Sequence, residues 1–143
     1  MEENKTNNPQ RIKTLKVIRL DNSDTYIVYC TQELISDPDY EYGYNQFLEE
    51  LFHAIDELGP IIPLCLKTDS KHFETDSNWG ELTEDNKIIF GDNFDESNSH
   101  QEMNFDEFLK IYHEYKTLCS YKPDEIIFKR FGNEISMQGI WNE

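Results

Sequence analysis

Apolar residues recur along this chain with two periods, and the switch between them marks out the elements. "TLKVIRL", "DNSD" and "TYIVYCT" read as strand, turn and strand. Their β-branched and aromatic residues suit a pleated surface, and Asp-Asn-Ser-Asp is turn chemistry. Leu15, Val17, Tyr26 and Val28 fall on one face of this pair, and Ile18, Leu20, Ile27 and Tyr29 on the other. A pair apolar on both faces is expected to be central in a sheet or covered on both sides. From Tyr44 the period lengthens. Tyr44, Phe47, Leu48, Leu51, Phe52, Ile55 and Leu58 recur at spacings of three and four, which predicts an amphipathic helix. Asp37 as N-cap with Pro38 behind it starts that helix early; a start nearer Tyr42, after a turn, is the alternative. Gly59-Pro60 ends it.

"IIPLCL" follows as an edge or bulged strand, because Pro63 bars a central one. Residues 67–86 read as a long polar connection around His72, Phe73 and Trp79, which either hides a short strand near "HFET" or binds something. "KIIF" predicts a short strand and "GDNFDESNSHQE" an acidic loop. The second helix has a fuller start signal: Asn104 as N-cap, Glu107 three residues on, and Met103 and Phe108 placed as a hydrophobic staple. Its buried stripe is Phe105, Phe108, Leu109, Ile111, Tyr112, Tyr115 and Cys119, and Pro123 prevents continuation. "DEIIFKRFGNEISMQGIW" reads as a hairpin about Gly132-Asn133. That register pairs Arg130 with Ile135, Phe128 with Met137 and Ile126 with Gly139. It puts Ile126, Phe128, Ile135, Met137 and Trp141 toward the core, and a one-residue slip would invert the assignment.

The expected fold is α+β, a mainly antiparallel sheet with two amphipathic helices packed on it, in the order ββ-α-β-β-α-ββ. Residues 1–10 are expected to form a disordered leader and 11–143 a single globular domain.

Charge changes the picture more than composition does. The chain of 143 residues carries 29 acidic and 13 basic side chains, a formal net charge of -16. Such a surface disfavours direct contact with nucleic acid or anionic membranes and favours basic proteins or cations. The three cysteines, Cys30, Cys65 and Cys119, form no C-x-x-C. With a polar start lacking an apolar core, they point to a reducing, cytoplasmic compartment.

Tests for specific chemistry fail one by one. "DPDYEYG" begins like a calcium loop, but positions 6 and 12, counted from Asp37, are Tyr42 and Leu48 rather than Gly and Glu. "DNFDESN" fails in the same way. His53, His72, His100 and His113 make no zinc spacing. There is no G-x-S-x-G and no Gly-rich phosphate loop, and Cys119 falls on an apolar stripe. The expectation is no enzyme, no metal and no cofactor.

What is left is the surface. Between Arg19 and Lys67 ten acidic residues stand with no Lys or Arg among them. A helix face that serves only solubility usually mixes signs and gains Glu-Lys pairs. Here Glu49, Glu50, Asp56 and Glu57 share the polar face with His53. Asp37, Asp39, Tyr40, Glu41 and Tyr42 precede them, and Asp92, Phe94, Asp95 and Glu96 form a second acidic aromatic group. Aromatic anchors ringed by acids suit an interface in which charge speeds encounter and aromatics slow release. In this character, an acidic aromatic surface, no catalytic motif and a C-terminal "EIIFKRFGNEISMQGIW" hairpin, the chain resembles the small acidic immunity proteins of bacterial toxin competition systems such as contact-dependent inhibition. The resemblance implies a stoichiometric inhibitor that covers the basic cleft of a toxin, often a nuclease. Two alternatives stay open: a phage-type nucleic-acid mimic directed at a host defence nuclease, and a small ligand-binding domain or enzyme using the 67–86 loop.

Overall fold

In the computed structural model the described residues are 13–21, 23–29, 46–94, 100–132 and 134–142. They form eight strands and three helices. In order these are β1 (Lys13–Arg19), β2 (Tyr26–Val28), α1 (Gln46–Glu57), α2 (Ile62–Lys67), β3 (His72–Glu74) and β4 (Asn78–Leu82). There follow β5 (Lys87–Asp92), β6 (His100–Asn104), α3 (Phe105–Ser120), β7 (Glu125–Phe131) and β8 (Glu134–Ile140). The class is α+β as expected, but the strands make two antiparallel sheets of four and not one. The chain divides into two compact units, Met1–Leu48 with Leu118–Glu143, and Glu49–Thr117. The division falls inside α1 and inside α3.

The first unit holds the sheet β2-β1-β7-β8. Strand β1 meets β2 with Val17 opposite Val28 and Ile18 opposite Ile27, and meets β7 with Val17 opposite Ile126. One face buries Leu15, Val17, Tyr26, Ile126 and Phe128, as the alternation requires. The Tyr26 hydroxyl donates to the Pro123 carbonyl at 2.6 Å. Burial pushes that phenol up to about 12, helped by the Cys119 thiol and opposed by Arg19. Arg19 also bonds Asp124 at 3.1 Å, and the Arg130 guanidinium lies 4.4 Å over the Phe47 ring.

The β7–β8 hairpin has the expected register, with Arg130 opposite Ile135, Phe128 opposite Met137 and Ile126 opposite Gly139. Gly132 takes φ +63°, the left-handed conformation such a turn needs and glycine adopts without strain. Two expectations are corrected. Leu20, Ile27 and Tyr29 are exposed, so the second face of β1–β2 is open at these positions, and Ile18 on it is half-buried; among the described residues β2 is a three-residue edge strand. Trp141 is 51% exposed and not core. It lies past the end of β8, where its indole donates to the Tyr121 carbonyl at 2.8 Å. Ile135 and Met137 are half-buried.

The second unit holds the sheet β3-β4-β5-β6, a simple meander. "IIPLCL" is helix α2, not an edge strand. Pro63 stands in its first turn, where an N–H has no intrahelical acceptor and the fixed φ already suits a helix. Within residues 67–86, "HFE" is β3 as suspected, and "NWGEL" is a second strand that alternation did not reveal. Part of the expected acidic loop is β6. The inner face of this sheet buries Phe73, Ile88 and Phe90. Phe90 meets Phe108 of α3 at 5.7 Å between ring centroids. Phe52 of α1 meets Tyr115 edge-on at 5.9 Å. Side chains press closely on glycine backbone here: a Cβ on Gly80 would stand 2.9 Å from Leu58 Cδ1, and one on Gly59 would overlap the Tyr112 ring.

Among the described residues the helix patterns hold; Tyr44 and the expected helix starts at Asp37 or near Tyr42 lie outside them. Leu51, Phe52, Ala54, Ile55 and Leu58 are buried. So are Phe105, Phe108, Ile111, Tyr112 and Tyr115, whereas Leu109 and Cys119 are half-buried at the margin of their stripe. The α3 cap forms as read, with the Glu107 N–H donating to Asn104 Oδ1 at 3.0 Å.

Candidate functional site

Packing of the apolar stripe of α1 inward fixes where its acids go. Glu49, Glu50, His53, Asp56 and Glu57 lie on the side away from Leu51, Ile55 and Leu58. Glu49 and His53 are one turn apart, with Oε2 and Nε2 at 4.0 Å. Asp56 Oδ1 accepts the Tyr115 hydroxyl of α3 at 3.1 Å.

Asp92 joins them. It ends β5 on the same side of the strand as Ile88 and Phe90, and its charge is felt at Glu49. Burial pushes the Glu49 carboxyl up from its ordinary value; Glu50 and Asp92 push it further, and His53 opposes them. Asp56 is raised as well. Partial burial of the carboxyl is the largest cause, although the residue as a whole stays open to solvent. Glu57 adds to the rise, and the Tyr115 hydrogen bond and His53 oppose it. Of the first-helix acids, Glu49 thus stands within electrostatic reach of Asp92, inside the Glu49–Thr117 unit. Asp92 also shapes its own turn: Oδ1 accepts the Phe94 N–H at 2.6 Å. Phe94 is 74% exposed, more than any other large apolar residue described.

Seven of the expected partner-binding residues lie outside the described residues: Asp37, Asp39, Tyr40, Glu41, Tyr42, Asp95 and Glu96. Sequence reasoning placed His53 on this face and missed its pairing with Glu49, and it gave no sign of the Tyr115–Asp56 bond. An i,i+4 Glu-His spacing was the available signal for the first; the second joins residues 59 apart in sequence.

Elsewhere, the segment that could have been a binding loop is a folded hairpin. Phe73 is core, and the Trp79 indole lies over Gly91, where a Cβ would stand 2.9 Å from Nε1. His72 Nε2 and Glu74 Oε1 are 3.1 Å apart on the face opposite Phe73. Among the described residues no group of three His, Cys, Asp or Glu side chains converges to hold a metal ion. No described helix is long and apolar enough to cross a membrane.

No protein-family model, curated protein or solved structure matches the chain.

Proposed function

We propose that the chain is a cytoplasmic, stoichiometric protein inhibitor of the immunity type, which binds a basic effector, a toxin domain such as a nuclease, through the α1 acidic face and the Asp92–Phe94 turn. What supports this reading is that the acids of α1 and the Asp92 turn act on one another, Glu50 and Asp92 both raising the Glu49 carboxyl. Seventeen acidic and five basic side chains fall between Glu49 and Thr117, a net of -12 out of -16. A surface of like charges costs the isolated protein something, and a basic partner converts that cost into attraction. Phe94 beside Asp92 supplies an apolar anchor within the charged field.

The test is binding to cationic toxin domains, followed by titration with salt. Association is expected to weaken steeply as salt rises. It should also strengthen as pH rises through the elevated Glu49 and Asp56 values, because the partner favours their ionised forms. Charge reversal at Glu49, Glu57 and Asp92 together should slow association about tenfold or more and leave the fold intact. Tight binding indifferent to salt and to that triple reversal would remove the reading.

A further inference from the structure

Among the described residues, strand β8 pairs with β7 on one side and with no strand on the other. Its seven register pairs run unbroken from Phe131–Glu134 to Glu125–Ile140, so no bulge turns the edge away. "EISMQGI" contains no Pro and no Lys, and its one charge, Glu134, stands at the end. Edge strands are ordinarily shielded from further pairing by such devices, and here they are missing along the body of the strand. One bond sets the direction of the backbone groups: the Ile140 carbonyl accepts the Asp124 N–H at 2.8 Å, on the β7 side. In an antiparallel strand the N–H and C=O of a residue point the same way and alternate residues reverse. Glu134, Ser136, Gln138 and Ile140 therefore bond toward β7. Ile135, Met137 and Gly139 turn their N–H and C=O groups to the other edge, where no strand or backbone partner meets them among the described residues.

We propose that this edge pairs with the same edge of a second copy of the chain, antiparallel, about a two-fold axis at Met137. Met137 then faces Met137, and Ile135 of each copy faces Gly139 of the other. Within β8 this is the only register that pairs all three outward residues, so the edge is its own complement. The side chains agree with it. Glu134 faces Ile140 and Ser136 faces Gln138, so no like charges stand opposite. The two Glu134 carboxylates end up about 20 Å apart along the strands. Charge also favours a second copy over a basic strand at this edge, because a basic partner is drawn to the Glu49–Thr117 unit and not to a nearly neutral strand. Each chain carries -16, so self-pairing is opposed at long range and strengthens as salt screens that repulsion. This is the reverse of the salt response expected for an effector, and the two interactions are separable by that sign.

The experiment is sedimentation equilibrium of the full chain from micromolar to submillimolar concentration, at low and high salt. A monomer–dimer equilibrium that shifts toward dimer with concentration and with salt is expected. Met137→Pro removes an N–H that faces the open edge and leaves the β7 ladder intact. It should melt within a few degrees of the parent and dimerise about tenfold or more weakly. Met137→Cys gives a second readout that does not depend on tolerance of proline. Facing residues of a hydrogen-bonded pair stand about 5.5 Å apart at Cα, within disulfide reach. With Cys30, Cys65 and Cys119 replaced by Ser, mild oxidation should therefore link two copies through position 137, and the same chain keeping Met137 should not link. A chain that is monomeric under all these conditions overturns the proposal. So does a dimer that weakens with salt, or one that survives Met137→Pro and fails to link through Met137→Cys.

Discussion

Strands β1 and β7, in the middle of the first sheet, have seven residues each and fill alternate, buried positions with Leu15, Val17, Ile126 and Phe128. Strands β4 and β5, in the middle of the second, have five and six, and β4 has Asn78 and Gly80 at its buried positions. The first sheet lies in a unit of net charge -4, the second in one of -12. The second unit nevertheless buries Phe52, Phe73, Phe90 and Phe108 completely or nearly so. A few large rings, two from helices α1 and α3 and two from strands β3 and β5, therefore supply what the small and polar buried positions of β4 cannot. Such a division leaves the outer positions of the second unit open to carry charge, and it is there that the acids gather.

The largest effect should come from Phe90→Ala, which empties the contact with Phe108. It is expected to cost about 3–5 kcal/mol in urea denaturation, with Phe128→Ala as the matched deletion in the first sheet. A Phe90→Ala cost below about 1 kcal/mol would mean that the second unit has no ring-dominated core, and the comparison would fail. Gly59→Ala forces a methyl against the Tyr112 ring and the Ile55 carbonyl. It should cost about 1–3 kcal/mol and tests how tightly the end of α1 is held. Asn104→Ala deletes the cap of α3 and should cost about 1 kcal/mol.

The smallest effect is electrostatic and has a definite sign. Glu49 and Asp56 have raised carboxyls, so the folded chain holds their protons more tightly than the unfolded chain does. Their contribution to stability therefore falls as pH rises from the ordinary carboxyl range through the raised values, and is level above them. Glu49→Gln should remove part of that slope in melts taken across this range. At neutral pH it should stabilise the chain by no more than about 0.5 kcal/mol. A fall in neutral stability would show that the ionised carboxylate is supported by its surroundings and not strained by them.

Sequence revealed the first unit more fully than the second, for physical reasons. The β7–β8 register could be read because a two-residue turn and a period of two leave one solution. The α3 start could be read because its cap is local, from Asn104 to Glu107. "IIPLCL" misled because Pro63 is equally at home at a strand edge and in a first helical turn. Strand β4 gave little sign of itself because contacts distant in sequence specify it: Gly80 beneath Leu58, and Trp79 over Gly91. The same holds for the acidic surface. The run of acids on α1 was plain in the chain, but the approach of Asp92 to Glu49 needed the fold of β5 to create it.

Each unit also carries one of the chain's two tryptophans, in opposite settings. Trp79 is half-buried over Gly91 in the second, and Trp141 is largely open to solvent in the first. The protein is thus labelled with two natural optical reporters. Trp141→Phe leaves an emitter that follows the acidic unit alone, and Trp79→Phe leaves one that follows the hairpin unit alone. Fluorescence melts of the two variants would show whether the halves lose structure in one step or in succession.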